Sequence, residues 1–167
     1  TTTQLKRSQI FVSSVKSVER PDNGILEMSL APVVSFVKIN VSSNLPVACN
    51  SVKLSGEDGT ALAFKHAKYD LFTSSLSEID SVSSVINVKP ASPVYLRRKA
   101  TEFIVNVNPQ YAGKTLTIDC DLEGADFEKV VVDVPEGGFK PGTCVSYNVG
   151  MVADPVLLSA NGTANTY

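Results

Sequence analysis

Few side chains in this sequence could do chemistry. The single histidine, His66, stands among Lys65 and Lys68. A Ser-His-Asp mechanism would need it as the base, but the neighbouring positive charges disfavour an imidazolium there, and no nucleophile elbow accompanies it. A solvated surface histidine is the expectation. The acidic run Asp119, Asp121, Glu123 and Asp126 surrounds Gly124. Carboxylates at alternate positions project from one face of a strand and could offer oxygens to Ca²⁺. The spacing reproduces only part of a calcium loop, and Ile118, Cys120 and Leu122 occupy the opposite face, so a wet strand face ending in a turn is the simpler account. There is no tryptophan, which leaves Tyr69, Tyr95 and Tyr111 as the aromatic platforms on which a glycan could stack. Tyr147 alternates with Val145 and Val149 and is assigned to the core. Cys49, Cys120 and Cys144 are too dispersed for a zinc ribbon, and their odd number leaves at least one thiol unpaired within the chain. They are read as small apolar residues, with a single disulfide as the second choice. The chain carries no H-E-x-x-H, Cys-x-x-Cys, phosphate loop or EF-hand pattern. The reading is therefore no enzyme, no cofactor and no dedicated metal site.

The elements that must position these residues read as strands. The 43% apolar content is carried largely by Val, Ile and Leu, with 7% aromatic residues, and β-branched enrichment favours strands. Short apolar runs of period two are separated by Gly, Pro, Asn, Asp and Ser. They fall at 10–18, 25–30, 33–41, 50–55, 61–65, 82–88, 102–107, 115–120, 127–134 and 143–149. Asn23-Gly24 is a turn signal between the first two. Asp58-Gly59 predicts a hairpin between 50–55 and 61–65, with Val52, Leu54, Leu62 and Phe64 on its core face. The Ser-rich stretch 66–92 reads as a long excursion around one strand, and the four strands from 102 to 149 as a meander. The predicted core is Val37, Ile39, Val52, Leu54, Phe64, Phe103, Val105, Leu116, Ile118, Val132 and Tyr147. Turn signals every ten or so residues argue for a single all-β domain over 1–167, an antiparallel β-sandwich with Greek-key topology.

Charge and hydropathy narrow the partners. Fifteen basic residues against seventeen acidic ones leave a net charge of −2, with no concentrated basic face of the kind that phosphate neutralisation requires, so nucleic acid is not an expected partner. No apolar run approaches the roughly 20 residues of a membrane-spanning helix. The opening Thr1-Thr2-Thr3-Gln4 has neither an initiator Met nor a signal-peptide pattern, as expected of a mature or trimmed segment.

The run Thr101-Glu102-Phe103-Ile104-Val105-Asn106-Val107-Asn108-Pro109, followed by Tyr111-Ala112-Gly113-Lys114-Thr115-Leu116-Thr117-Ile118, resembles the "F-x-V-x-V-x-P" strand and "L-T-I"-type strand of the Bacteroidetes fimbrillin-like family. Phe127 to Val132 and Phe139 to Val149 resemble its closing segment, with a "G-x-x-Y-x-x-x-V" strand ending at Val149. Upstream, 30–39 is similar to its first core strand, and Val52-Lys53-Leu54-Ser55-Gly56 to its "I-x-L-S-G" strand. The resemblance covers about two-thirds of the chain.

The resemblance implies a transthyretin-like sandwich and a secreted protein at the cell surface or in a fimbrium, reached through an outer-membrane lipoprotein precursor. It implies a structural or adhesion subunit that assembles by strand exchange. Removal of an N-terminal strand within 1–20 opens a groove, and a strand from a neighbouring subunit fills it through main-chain hydrogen bonds. Arg7 and Arg20 are the candidate maturation sites, and the tail 151–167, with Val156-Leu157-Leu158, is a candidate donor strand or a disordered end. The expected partners are other fimbrial subunits, with a host or bacterial surface protein or glycan as target. The alternative is a non-catalytic surface module that binds glycans through Tyr69, Tyr95 or Tyr111.

Overall fold

Val37, Ile39 and Val41 alternate with Lys38 and Asn40, and all three valine and isoleucine side chains are fully buried in a nine-residue strand. The same period-two rule builds the rest of the molecule. The computed structural model describes residues 11–13, 22, 24–25, 30–124 and 127–152. In chain order the strands are β1 (Phe11–Ser13), β2 (Leu30–Pro32), β3 (Ser35–Ser43), β4 (Val47–Gly56), β5 (His66–Asp70), β6 (Ser75–Asp80), β7 (Val85–Val88), β8 (Val94–Leu96), β9 (Thr101–Val107), β10 (Thr115–Leu122), β11 (Val130–Asp133) and β12 (Cys144–Met151). A 3₁₀ turn at Glu57–Gly59 follows β4.

Two larger sheets hold the core between them, as in a β-sandwich. One has the order β11-β10-β4-β7, with β8 also pairing β4, and the other the order β12-β3-β9. Their inward side chains form one apolar cluster that includes Val37 and Ile39 from β3, Val52 and Leu54 from β4, Phe103 and Val105 from β9, and Leu116 and Ile118 from β10. Each fully buried aliphatic side chain contributes about 1.5–3 kcal/mol over its exposed state. The smaller pairs β1-β2 and β5-β6 are antiparallel and separate from these sheets. Among the paired strands described, only β12 and β3 run parallel, in unbroken register from Cys144 opposite Phe36 to Met151 opposite Ser43.

Several expectations are corrected by this topology. The Asp58-Gly59 turn forms, with φ of 45° and 77° at the two residues, yet no hairpin follows it. Both edges of β4 are already taken, one by β10 and the other by β7 and β8. The chain after the turn is drawn instead to Ser83, where Leu62 and Ala63 donate backbone hydrogen bonds to its carbonyl. Leu62 is fully buried as expected, but Phe64 is only half-buried and lies outside the core.

The stretch 66–92 carries the β5-β6 hairpin as well as β7. The strands from 101 onward do not form a meander. β9 belongs to the sheet of β3, β10 and β11 to the sheet of β4, and β12 returns to β3. Val132 and Tyr147 are half-buried and pack against the core from its margin. The predicted strands at 10–18 and 25–30 are described only in part, and the tail 153–167 lies outside the described residues.

Candidate functional site

The three-stranded sheet has two edges, and they are finished differently. On β9 the inward residues Phe103, Val105 and Val107 are all buried. The segment before β5 closes the sandwich beside this strand. Leu62 is wedged between the end of β9 and the approach to β7, held by Asn108 N–H donating to the Leu62 carbonyl at 2.8 Å and by Leu62 N–H donating to Ser83 O at 2.8 Å.

On β12 the inward residues are Val145, Tyr147, Val149 and Met151. Val149 and Met151 are buried, whereas Val145 and Tyr147 remain half-exposed. Facing them across the sandwich, β11 and the residue after it contribute Val130, Val132 and Val134, also half-buried. The two edge strands touch through Tyr147, whose phenol donates to the Asp133 carbonyl at 2.8 Å. Burial pushes the Tyr147 phenol above its ordinary pKa, with the Asp133 carboxylate adding to the shift. Among the described residues β12 pairs with β3 alone. Among the described residues no strand lies along its outer edge, the side on which a strand's main-chain donors and acceptors face away from its partner. Chemically, the site offers a backbone ladder beside a row of partly filled apolar positions. Such an arrangement recognises an extended segment by main-chain hydrogen bonds and by pockets for alternate side chains.

The residues singled out for other chemistry are placed elsewhere. Tyr111 is buried, at 5% exposure, and is no glycan platform. Its phenol oxygen accepts a hydrogen bond from Glu57 N–H at 2.7 Å and donates one to the Thr115 carbonyl at 2.7 Å. The ring lies 5.9 Å from that of Phe139, tilted by 40°. A Cβ at Gly113 would overlap the phenol, so glycine is what lets the loop wrap it. Glu57 completes the latch by accepting Lys114 N–H at 2.6 Å. Burial raises the pKa of this phenol too. Of the other tyrosines, Tyr95 on β8 is 63% exposed and Tyr69 on β5 is half-buried. They sit in different sheets.

Asp119 points outward from β10 and pairs with Lys129 at 3.6 Å. Asp121 and Glu123 are exposed, and Asp126 lies outside the described residues. Among the described residues no three His, Cys, Asp or Glu side chains gather where they could hold a metal ion. His66 is exposed at the start of β5, opposite Asp80 in the ladder. Arg7 and Arg20 lie outside the described residues. The cysteines are not three equivalent core residues, because Cys49 and Cys120 are buried while Cys144, at the head of β12, is exposed.

Two features were missed in the sequence. The parallel pairing of β12 with β3 leaves no local signal. The β5-β6 hairpin does leave one, since Ala67 and Tyr69 alternate with His66, Lys68 and Asp70. It presents Leu71 and Phe72 at its tip, 58% and 80% exposed, on a turn fixed by Asp70 Oδ1 accepting the Phe72 and Thr73 N–H groups. No protein-family model and no curated protein matches this chain.

Proposed function

We propose that this protein is a non-catalytic structural or adhesion subunit of bacterial surface fimbriae, secreted and assembled by strand addition at the outer edge of β12. The observation that carries the reading is the combination at that edge: an eight-residue strand paired on one side alone among the described residues, with half-exposed Val145 and Tyr147 beside it. An incoming strand from a neighbouring subunit would satisfy the backbone groups of β12 and cover these side chains and the Val130, Val132 and Val134 row. The gain is the apolar area removed from water, at roughly 25 cal/mol per Å², together with the ladder itself.

The finer fold reading, a Greek-key sandwich of transthyretin-like order, is supported by the central position of β3. It has an antiparallel neighbour, β9, on one side and a parallel one, β12, on the other, opposite the order β11-β10-β4-β7. The resemblance of 101–118 and 139–149 to fimbrillin-like sequences supports the same reading. Maturation after Arg7 or Arg20 is part of the proposal, since loss of a preceding segment is what would turn a protected subunit into an assembling one.

The test is to treat the purified chain with an Arg-specific protease and look for heat-stable ladders on gels and fibres by negative-stain microscopy. Ladders with fibres are expected. A monomer that persists with and without protease overturns strand exchange. Binding on a glycan array without self-association would transfer the protein to the glycan-binding reading, for which Tyr95 is the exposed aromatic candidate.

A further inference from the structure

The β4-β10 ladder contains one irregularity, and it falls between the two buried cysteines. Cys120 stands opposite Val52 and Asp121 opposite Ser51, but Leu122 stands opposite Cys49, so that Asn50 is an extra residue without a partner in the ladder. A bulge of this kind turns over the side chains beyond it. In a regular strand Val52 and Leu54 would be followed on the core face by Asn50, and Cys49 would point out to solvent. The bulge reverses this. Cys49 becomes fully buried, and Cys120 is 4% exposed on the same face, one step away along the diagonal of the ladder.

The two thiols are near enough for each to shift the ionisation of the other. The neighbouring Cys120 side chain holds Cys49 below the ordinary thiol pKa, and Cys49 together with burial pushes Cys120 well above it. The Cys49 thiol donates to the Ser51 carbonyl beside the bulge, at 3.4 Å. Regular diagonal pairs sit about 7–8 Å apart at Cα, just beyond the ~6.8 Å that a disulfide tolerates. Any adjustment needed falls at the bulge, where the ladder is already interrupted.

We infer that Cys49 and Cys120 form a disulfide site that staples β4 to β10, while Cys144 remains a free thiol. The oxidant is a dialkyl disulfide of the glutathione type. The Cys49 thiolate attacks one of its sulfurs, forming a mixed disulfide and expelling one thiolate. Cys120, deprotonated, then attacks the Cys49 sulfur, forming the Cys49–Cys120 bond and expelling the second thiolate. The two protons lost by the protein thiols pass to the two leaving thiolates. The protein pair is oxidised and the small disulfide is reduced to two thiols. Because both sulfurs are shielded once the sheet is formed, the exchange belongs to folding, before β4 and β10 dock. The inference stands apart from strand addition at β12.

The test uses the full chain and its C144S variant, each refolded in a glutathione redox buffer, quenched, denatured without reductant and titrated for thiols. One free thiol in the parent and none in C144S is the expected result, with C144S lighter by two hydrogens and its bond mapped to Cys49 and Cys120 in non-reduced peptides. Closing a loop of roughly 70 residues should also raise the melting temperature of C144S by about 10 °C over its reduced form. Two titratable thiols in oxidised C144S, or a bond from Cys144 to either core cysteine in the parent, would overturn the inference.

Discussion

The two edges of the three-stranded sheet answer to different demands. β9 is an edge strand whose inward residues are all buried, and the chain between the 3₁₀ turn and β5 brings buried Leu62 to its end. β12 is an edge strand of similar length whose first two inward residues stay half-exposed, facing an equally half-exposed row on β11. Both alternate apolar and polar residues, so pattern alone does not separate them. The difference lies in what the rest of the chain supplies. One flank is completed from within the described fold, and on the other β12 has a neighbour on one side alone among the described residues. An edge whose inner residues remain half-buried is thus a more specific sign of strand addition than an edge alone.

The sharpest way to break this comparison is to put a carboxylate on each flank. Val105→Asp on β9 buries a charge in the closed core and should cost more than about 4 kcal/mol, enough to unfold most of the population. Val145→Asp on β12 can keep its carboxylate wet and should cost under about 2 kcal/mol while abolishing the gel ladders. Equal losses in urea denaturation of the two variants would erase the distinction between the flanks.

The two hydrogen-bonded tyrosines sharpen it further. Tyr111→Phe strands the Glu57 N–H and the Thr115 carbonyl near the core and should cost about 1–3 kcal/mol. Tyr147→Phe loses one bond at an accessible margin and should cost about 0.5–1 kcal/mol. The same pair governs alkaline behaviour. Both phenols have pKa values raised by burial in the folded state, so their contribution is intact below the ordinary phenol pKa of about 10 and is lost as pH rises above it. Denaturation midpoints measured from pH 9 to 11.5 should fall for the parent, and fall less steeply for Tyr111→Phe. The smallest effect belongs to the exposed face of β10. Lys129→Ala removes the partner of Asp119 and should change stability by no more than about 1 kcal/mol, less still in high salt.

Local pattern carried the strands and most of the core. Val37, Ile39, Val52, Leu54, Leu116 and Ile118 could be assigned inward because a strand's side chains alternate whatever it pairs with, and all six are fully buried. Phe64 failed because a hairpin needs a free edge as well as a turn, and both edges of β4 were claimed by strands distant in sequence. Tyr111 was misread as a surface platform because the groups that bury it, the Glu57 amide and the Phe139 ring, come from separate parts of the chain.

What the sequence determined by itself is the all-β composition, the spacing of strands and turns, and the inward face of each regular strand. These follow from φ/ψ preference and period-two burial, which are properties of neighbours in the chain. Only the tertiary structure decided that β12 lies parallel to β3 at a half-covered edge, that a bulge turns Cys49 toward Cys120, and that Leu62 closes the opposite flank. Each of these depends on which distant segment lies against which edge or strand, and no local periodicity encodes that choice.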